Sequence, residues 1–199
     1  MTMLLTALAA YLLGSIPFGI VMARLFGLGD LRAIGSGNIG ATNVLRTGNK
    51  LAAFLTLLGD SGKGAAAVLL ARAIIGEEGA GIAALCAMLG HLYPVFLRFK
   101  GGKGVATFLG TLLALSFPVG LLACATWLAV AVLTRYSSLS ALVAALMAPI
   151  YTAWIYHLHG AIIVLALTGL IFVKHRENIA RLRDGTETKI GQKDKKKEA

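Results

Sequence analysis

The chain has 199 residues, of which 57% are apolar and 14% charged, with a mean hydropathy of +0.79. Soluble domains run near 25% charged residues, so nine acids and nineteen bases are too few to clothe a water-facing surface. A soluble enzyme and a largely disordered chain are both excluded, and the net charge of +10 must be read from where the bases sit.

A membrane span needs roughly 17–25 apolar residues. Residues 3–27 supply the first, with Gly14, Pro17, Gly19 and Gly27 inviting a kink. No base precedes Arg24, so the n-region of a secretory signal is missing and this stretch is expected to stay as a helix. A polar, glycine-rich segment runs from Asp30 to Lys50. The second apolar stretch, 51–76, carries Asp60, Lys63 and Arg72 and ends at Glu77 and Glu78. The third covers 80–98 and meets RFKGGKG at once. The stretch 105–135 is too long for one span and short for two, and Ser116-Phe117-Pro118 breaks it. Residues 138–156 and 160–174 form the last two, on either side of HLHG. The pattern predicts an all-α polytopic integral membrane protein with seven transmembrane helices, one or two of them short or broken, and five as the fallback count. Residues 1–187 read as a single transmembrane domain, and 188–199 as a basic, disordered tail.

Seventeen of the nineteen bases fall in alternate loops and the tail; only Lys63 and Arg72 lie inside a span. The intervening loops hold none. By the positive-inside rule the N-terminus is outside and the basic loops and C-terminus are cytoplasmic, so the bases answer to topology and anionic lipid, with no nucleic acid as partner. Cys86 and Cys124 sit in apolar stretches as packing residues.

Three segments destined for the same side carry phosphate-binding chemistry. GSGNIGATNVLR (35–46) combines small residues that let backbone N–H groups approach an anion with the side chains of Ser36, Asn38, Thr42 and Asn43; Gly37 belongs to the same turn. Arg46 can grip phosphate in a bidentate fork. FKGGKGVAT (99–107) surrounds Lys103 with Gly101, Gly102 and Gly104 at a helix start, again an anion seat. KHRENIARLRDG (174–185) puts His175 and Asn178 three apart on one helical face. Asp60 and Lys63 in GDSGKG are expected to form a structural ion pair bracing a loop, since charges at membrane depth need partners. His91 reads as a hydrogen-bonded core residue, and His157 and His159 fall on the opposite, outer side. No His, Cys and acid grouping has metal-ligand spacing, and no cofactor motif stands out.

These segments, GSGNIGATNVLR, GDSGKG, GHLYPVFLRFKGGKGVAT and HRENIARLRDGTE, resemble those of the bacterial acyl-phosphate-dependent glycerol-3-phosphate acyltransferases, the PlsY family, in the family's order and over nearly the whole chain. The resemblance implies a seven-helix inner-membrane enzyme with a cytoplasmic active site. It would move a fatty acyl group from acyl phosphate to the 1-hydroxyl of sn-glycerol 3-phosphate, giving lysophosphatidic acid and phosphate, the first step of phospholipid synthesis. By matched position, Ser36, Arg46, Lys103, His175 and Asn178 would be the catalytic set holding glycerol 3-phosphate. Thr42 and Asn43, with the Gly101–Gly104 loop, would seat the acyl-phosphate head. No cofactor or metal and no protein general base is implied, and the expected state is a monomer. After His91 and His175 the fifth positions are Phe96 and Ala180, so the H-x-x-x-x-D pattern of thioester-dependent acyltransferases is absent. The alternatives are a carrier or channel for phosphorylated metabolites, and an acyltransferase fed by acyl-CoA or acyl carrier protein.

Overall fold

A computed structural model describes residues 1–156 and 161–191; His157, His159 and the KDKKKEA end lie outside the described residues. The described chain is all-helical. The first apolar stretch is split into α1 (Thr2–Gly14) and α2 (Phe18–Leu25). Pro17 stands at the break, where its ring removes an N–H and turns the preceding residue out of the helical region. After a short turn come α3 (Ala41–Leu45) and the long α4 (Lys50–Ile75). The Asn49 side chain caps α4 by accepting from the Ala52 amide at 2.9 Å. α5 (Glu77–Leu92) follows directly.

The stretch 105–135 resolves into α6 (Val105–Leu115) and α7 (Phe117–Thr134). Ser116 is extended between them, and Pro118 occupies the first turn of α7, where a missing N–H costs nothing. α8 (Ser137–Tyr156), α9 (Ala161–Lys174) and α10 (Arg176–Arg183) complete the chain. Among the described residues five segments are long and apolar enough to cross a membrane: Thr2–Leu25, Lys50–Ile75, Glu77–Leu97, Phe117–Thr134 and Ser137–Tyr156. α6 and α9 are apolar but shorter.

α4 is the hub. It packs on α1, α2, α3, α5 and α6, while α8 bridges α7 and α9. The closest crossings use glycine. A Cβ on Gly110 would land on the Ser61 backbone, and one on Gly14 on the Ala87 backbone. Without water to drive apolar association inside a bilayer, such backbone approach supplies much of the helix packing. Gly110→Val should therefore separate α4 from α6. Overpacking of this kind costs about 1–3 kcal/mol, so the thermal midpoint in detergent should fall by about 5 °C or more; an unchanged melt would contradict this packing. Val68, Met88, Leu92, Phe108, Leu112 and Leu167, contributed by α4, α5, α6 and α9, form the main apolar core.

Asp60, Lys63 and Arg72, the charges in the body of α4, all have partners. Lys63 Nζ lies 2.8 Å from Asp60 Oδ1 and donates to the Ile16 carbonyl at 2.6 Å, a carbonyl left without a helical partner by the α1–α2 break. The loop that this pair braces is that break, while GDSGKG itself is continuous helix. Arg72 donates to the carbonyls of Ala114 and Leu115 at 2.6 and 3.0 Å and pairs with Glu77, closing the end of α6. His91 is buried, with Nδ1 3.5 Å from Asp60 Oδ1 but without hydrogen-bond geometry, so a looser contact with the Asp60 carboxylate stands where a core hydrogen bond was expected.

Candidate active site

At one end of the bundle the 34–46 segment, the start of α6, the start of α8 and the α9–α10 junction enclose a cavity of about 590 Å³. Its polar part is lined by Ser36, Asn38, Thr42, Asn43, Arg46, Lys103, Gly104, His175 and Asn178, so residues up to 142 positions apart in sequence converge. Its apolar limb runs between α4, α6 and α7 along Leu57, Leu109 and Leu113 toward Cys124 and Trp127. Cys124, expected to be simple packing, is a wall of this limb.

Arg46 lies against Gly35, whose φ of +54° and lack of a Cβ leave room for the guanidinium. Its Nη2 donates to Thr188 Oγ1 at 2.6 Å, while its Nη1 is buried without a hydrogen-bond partner among the described residues. A buried donor left unpaired is costly, and here it lies on an arginine that lines the cavity. Lys103, half-buried, donates to Asn178 Oδ1. Burial lowers its pKa, and the charges of Arg181 and Arg46 push the same way against Glu187 and Glu177.

His175 ends α9 and begins α10, and it is only 2% exposed. Its Nδ1 lies 2.8 Å from the Ile171 carbonyl. A carbonyl can only accept, so Nδ1 carries the hydrogen and Nε2 is the free acceptor. Burial is the main reason its pKa drops to about 4; the Ile171 contact opposes the fall and Lys103 deepens it. The ring is neutral at physiological pH.

Four of the expected substrate-binding residues, Gly37, Asn43, Gly101 and Gly102, are hydrogen-bonded within the protein itself. Gly101 and Gly102 do not line the cavity: their amides donate to the carbonyls of Leu92 and His91, each at 3.2 Å. The end of α5 leaves carbonyls without helical donors, and the glycine amides satisfy those carbonyls rather than an anion. The backbone that lines the cavity here is the α6 N-terminus, at Gly104, Val105 and Ala106. Gly37 also lies off the cavity, its amide bonded to the Ile34 carbonyl at 2.9 Å. Asn43 lines the cavity, but its amide group is spent on the loop, accepting from Ser36 N at 3.2 Å and donating to the Leu31 carbonyl at 2.8 Å.

Sequence reasoning missed polar residues that line the cavity, Ser137, Ser138, Glu187 and Thr188 among them, and it read Asp60 and His91, which also line it, as purely structural. Ser137 and Ser138 begin α8, and Ser137 Oγ meets Thr42 Oγ1 at 3.2 Å; a serine pair just before an apolar run is a helix-start signal that could have revealed them. Glu187 accepts from Ser138 at 2.9 Å, from Asn178 at 2.7 Å and from Arg181 at 2.7 Å. Burial alone would raise its pKa, but these donors outweigh it and hold the carboxyl below its ordinary value. A carboxylate thus enters the site fully paired. Thr188 follows it onto Arg46, and Ile190 exchanges hydrogen bonds with Arg135 at 2.7 and 3.1 Å. The chain therefore stays on the bundle past the boundary expected at 187. Among the described residues no cluster of His, Cys and acids could hold a metal ion.

The family described as glycerol-3-phosphate acyltransferase matches residues 4–185. A relative of that name from Jannaschia sp. (strain CCS1) is 66% identical over 188 residues, covering 94% of this chain and 92% of the relative. Another, from Cereibacter sphaeroides (strain ATCC 17025 / ATH 2.4.3), is 61% identical over 193 residues, covering 97% and 92%. Among solved structures, PlsY, an integral membrane glycerol 3-phosphate acyltransferase, matches in its glycerol 3-phosphate form with a TM-score of 0.90 at 41% identity. Its lysophosphatidic acid form gives 0.89 at 40%. Both alignments cover 96% of either chain.

Proposed function

The chain belongs to the glycerol-3-phosphate acyltransferase (PlsY) family, and from that membership we propose that its acyl donor is an acyl phosphate. Transfer to the 1-hydroxyl of sn-glycerol 3-phosphate gives lysophosphatidic acid and inorganic phosphate, the first step of phospholipid synthesis. The observation that carries this reading is the two-part cavity: a cationic head around Arg46 and Lys103, continuous with an apolar limb that reaches Trp127.

Arg46 holds a substrate phosphate through its unpaired Nη1. Lys103 and the α6 N-terminus face the second anionic group and the oxyanion that develops on the acyl carbonyl. The glycerol oxygen attacks that carbonyl carbon, the bond from carbon to the phosphate oxygen breaks, and phosphate leaves with the electron pair. The hydroxyl proton passes to a phosphate oxygen. His175 is a poor base for this step, since a pKa of about 4 lies far from the working pH. Its free Nε2 instead accepts a hydrogen bond from the substrate hydroxyl and orients it. An acyl phosphate is already activated, so positioning suffices.

The pH profile and two variants test the role of His175. Wild-type kcat/KM should show no inflection of histidine type between pH 5.5 and 8. His175→Gln keeps a polar side chain of similar reach and should retain measurable activity. His175→Ala should lose about 10- to 100-fold. Equal losses in both variants, with a wild-type inflection near pH 6–7, would assign proton abstraction to His175.

The same reading includes seven spans, with α6 and α9 as half-length helices shielded by their neighbours, the N-terminus outside, and the cavity on the cytoplasmic side of the inner membrane. The working unit is a monomer without cofactor or metal. A cytoplasm-only reporter should be active near Asn49 or after Ala199 and silent near Glu78; activity at Glu78 would reverse the orientation. For the reaction itself, the protein is reconstituted in sealed vesicles with labelled glycerol 3-phosphate and palmitoyl phosphate. Label should move into the organic phase as lysophosphatidic acid. Label accumulating unchanged in the lumen would make the protein a carrier instead.

A further inference from the structure

At the same end of the bundle a second cavity, of about 530 Å³, lies outside the catalytic one. It is enclosed by α2, the 29–32 segment and the turn after α5. Ile20, Ala23, Leu31 and Leu97 make its lining apolar, and three exposed arginines, Arg24, Arg32 and Arg98, share it. The single acid in the lining, Asp30, is engaged: its carboxylate accepts from the Arg32 amide at 2.9 Å. The Arg32 guanidinium is fixed by donating to the Lys100 carbonyl at 2.9 Å. The guanidinium groups of Arg24 and Arg98 have no hydrogen-bond or ion-pair partner among the described residues.

Two features separate this cluster from bases that merely set topology. Bases from three chain segments converge on one cavity, whereas topology needs only bases in the loops. Arg98 and Phe99 also sit at φ of +51° and +62°, a left-handed conformation that costs non-glycine residues free energy and is found where a side chain is held for a purpose. Phe96 is 61% exposed in the lining, with Phe99 at 59% and Leu25 at 72% beside it. Exposed aromatic and apolar groups next to arginine are the composition of a lipid headgroup layer.

We propose that this cavity binds the headgroup of an anionic membrane phospholipid. The phosphodiester lies between Arg24 and Arg98 with Arg32 alongside, and the upper acyl chains lie along Ile20 and Phe96. The apolar lining and the exposed rim favour a lipid over a soluble phosphate, and basic pockets of this kind between helix ends are natural lipid-headgroup sites. The occupant is separate from the substrates, because none of these residues lines the catalytic cavity.

The test is native mass spectrometry of the delipidated full chain in detergent, titrated separately with phosphatidylglycerol and phosphatidylcholine, and with inorganic phosphate as competitor. Phosphatidylglycerol should bind saturably, phosphatidylcholine about tenfold more weakly, and inorganic phosphate, which the catalytic cavity can hold as product, should not displace the lipid. The Arg24→Gln/Arg98→Gln pair should weaken phosphatidylglycerol binding about tenfold or more, with acylation in lipid-free detergent unchanged. Undiminished binding in that pair, or equal binding of phosphatidylcholine, overturns the proposal. Inorganic phosphate that displaces phosphatidylglycerol would mark a soluble-anion site and overturns it too. Should the Gln pair also lose acylation, the single variants Arg24→Gln and Arg98→Gln decide. One that keeps acylation should still weaken phosphatidylglycerol binding several-fold, and undiminished binding in it overturns the proposal.

Discussion

Lys103→Ala should lower kcat/KM roughly 30- to 1000-fold, the equivalent of about 2–4 kcal/mol, without a comparable loss of thermal stability. The side chain is half-buried, and burial together with the neighbouring Arg181 charge depresses its pKa. These are the marks of a cation held in a place that suits an anion better than a second cation. Its hydrogen bond to Asn178 goes to a neutral acceptor, which leaves other ammonium protons for a substrate phosphate. Removing the amine leaves Asn178 bonded to Glu187, so the fold keeps its polar network while the cavity loses a charge. A loss of less than about threefold would take Lys103 out of the chemistry.

Arg46→Lys should be nearly as damaging, about 30-fold or more in kcat/KM, although the charge is kept. The guanidinium already spends Nη2 on Thr188 and presents Nη1 without a partner. A lysine has no second, independently directed arm, so it can serve the tail or the substrate but does not reproduce the fork. Thr188→Ala frees Nη2 and serves as the control: its effect should be several-fold smaller than that of Arg46→Lys. Equal activity of Arg46→Lys and wild type would show that only charge matters at this position.

Much of the architecture could be read from hydropathy, because apolar runs bounded by Pro17, Gly76 and Ser116 are local facts. The clustering of Arg46, Lys103, His175 and Asn178 was legible in the same way, through polar residues crowded beside apolar helices. What escaped depends on contacts between distant helices. Nothing in FKGGKGVAT says that the amides of Gly101 and Gly102 will be taken by the end of α5, since that requires knowing where the loop folds back. Asn43 looked like a ligand side chain because its two loop partners, Ser36 N and the Leu31 carbonyl, are backbone groups with no sequence signature. Glu187 and Thr188 lie where the charge-rich tail begins, and composition alone assigns that tail to solvent. They are drawn onto the site by Arg181, Asn178 and Arg46, three donors that outnumber the available carboxylates. The limb toward Trp127 is equally silent, because an apolar residue facing a cavity reads the same as one facing lipid.

The central claim is the donor, and a competition settles it. The purified protein is given labelled glycerol 3-phosphate with equimolar acyl phosphate and acyl-CoA whose chains differ by two carbons, and the chain length of the lysophosphatidic acid is read by mass spectrometry. The donors are then exchanged between chain lengths to cancel any length preference, and acyl carrier protein replaces coenzyme A in a parallel arm. In every arrangement the product should carry the chain supplied as acyl phosphate. A product that follows the thioester chain would contradict the account.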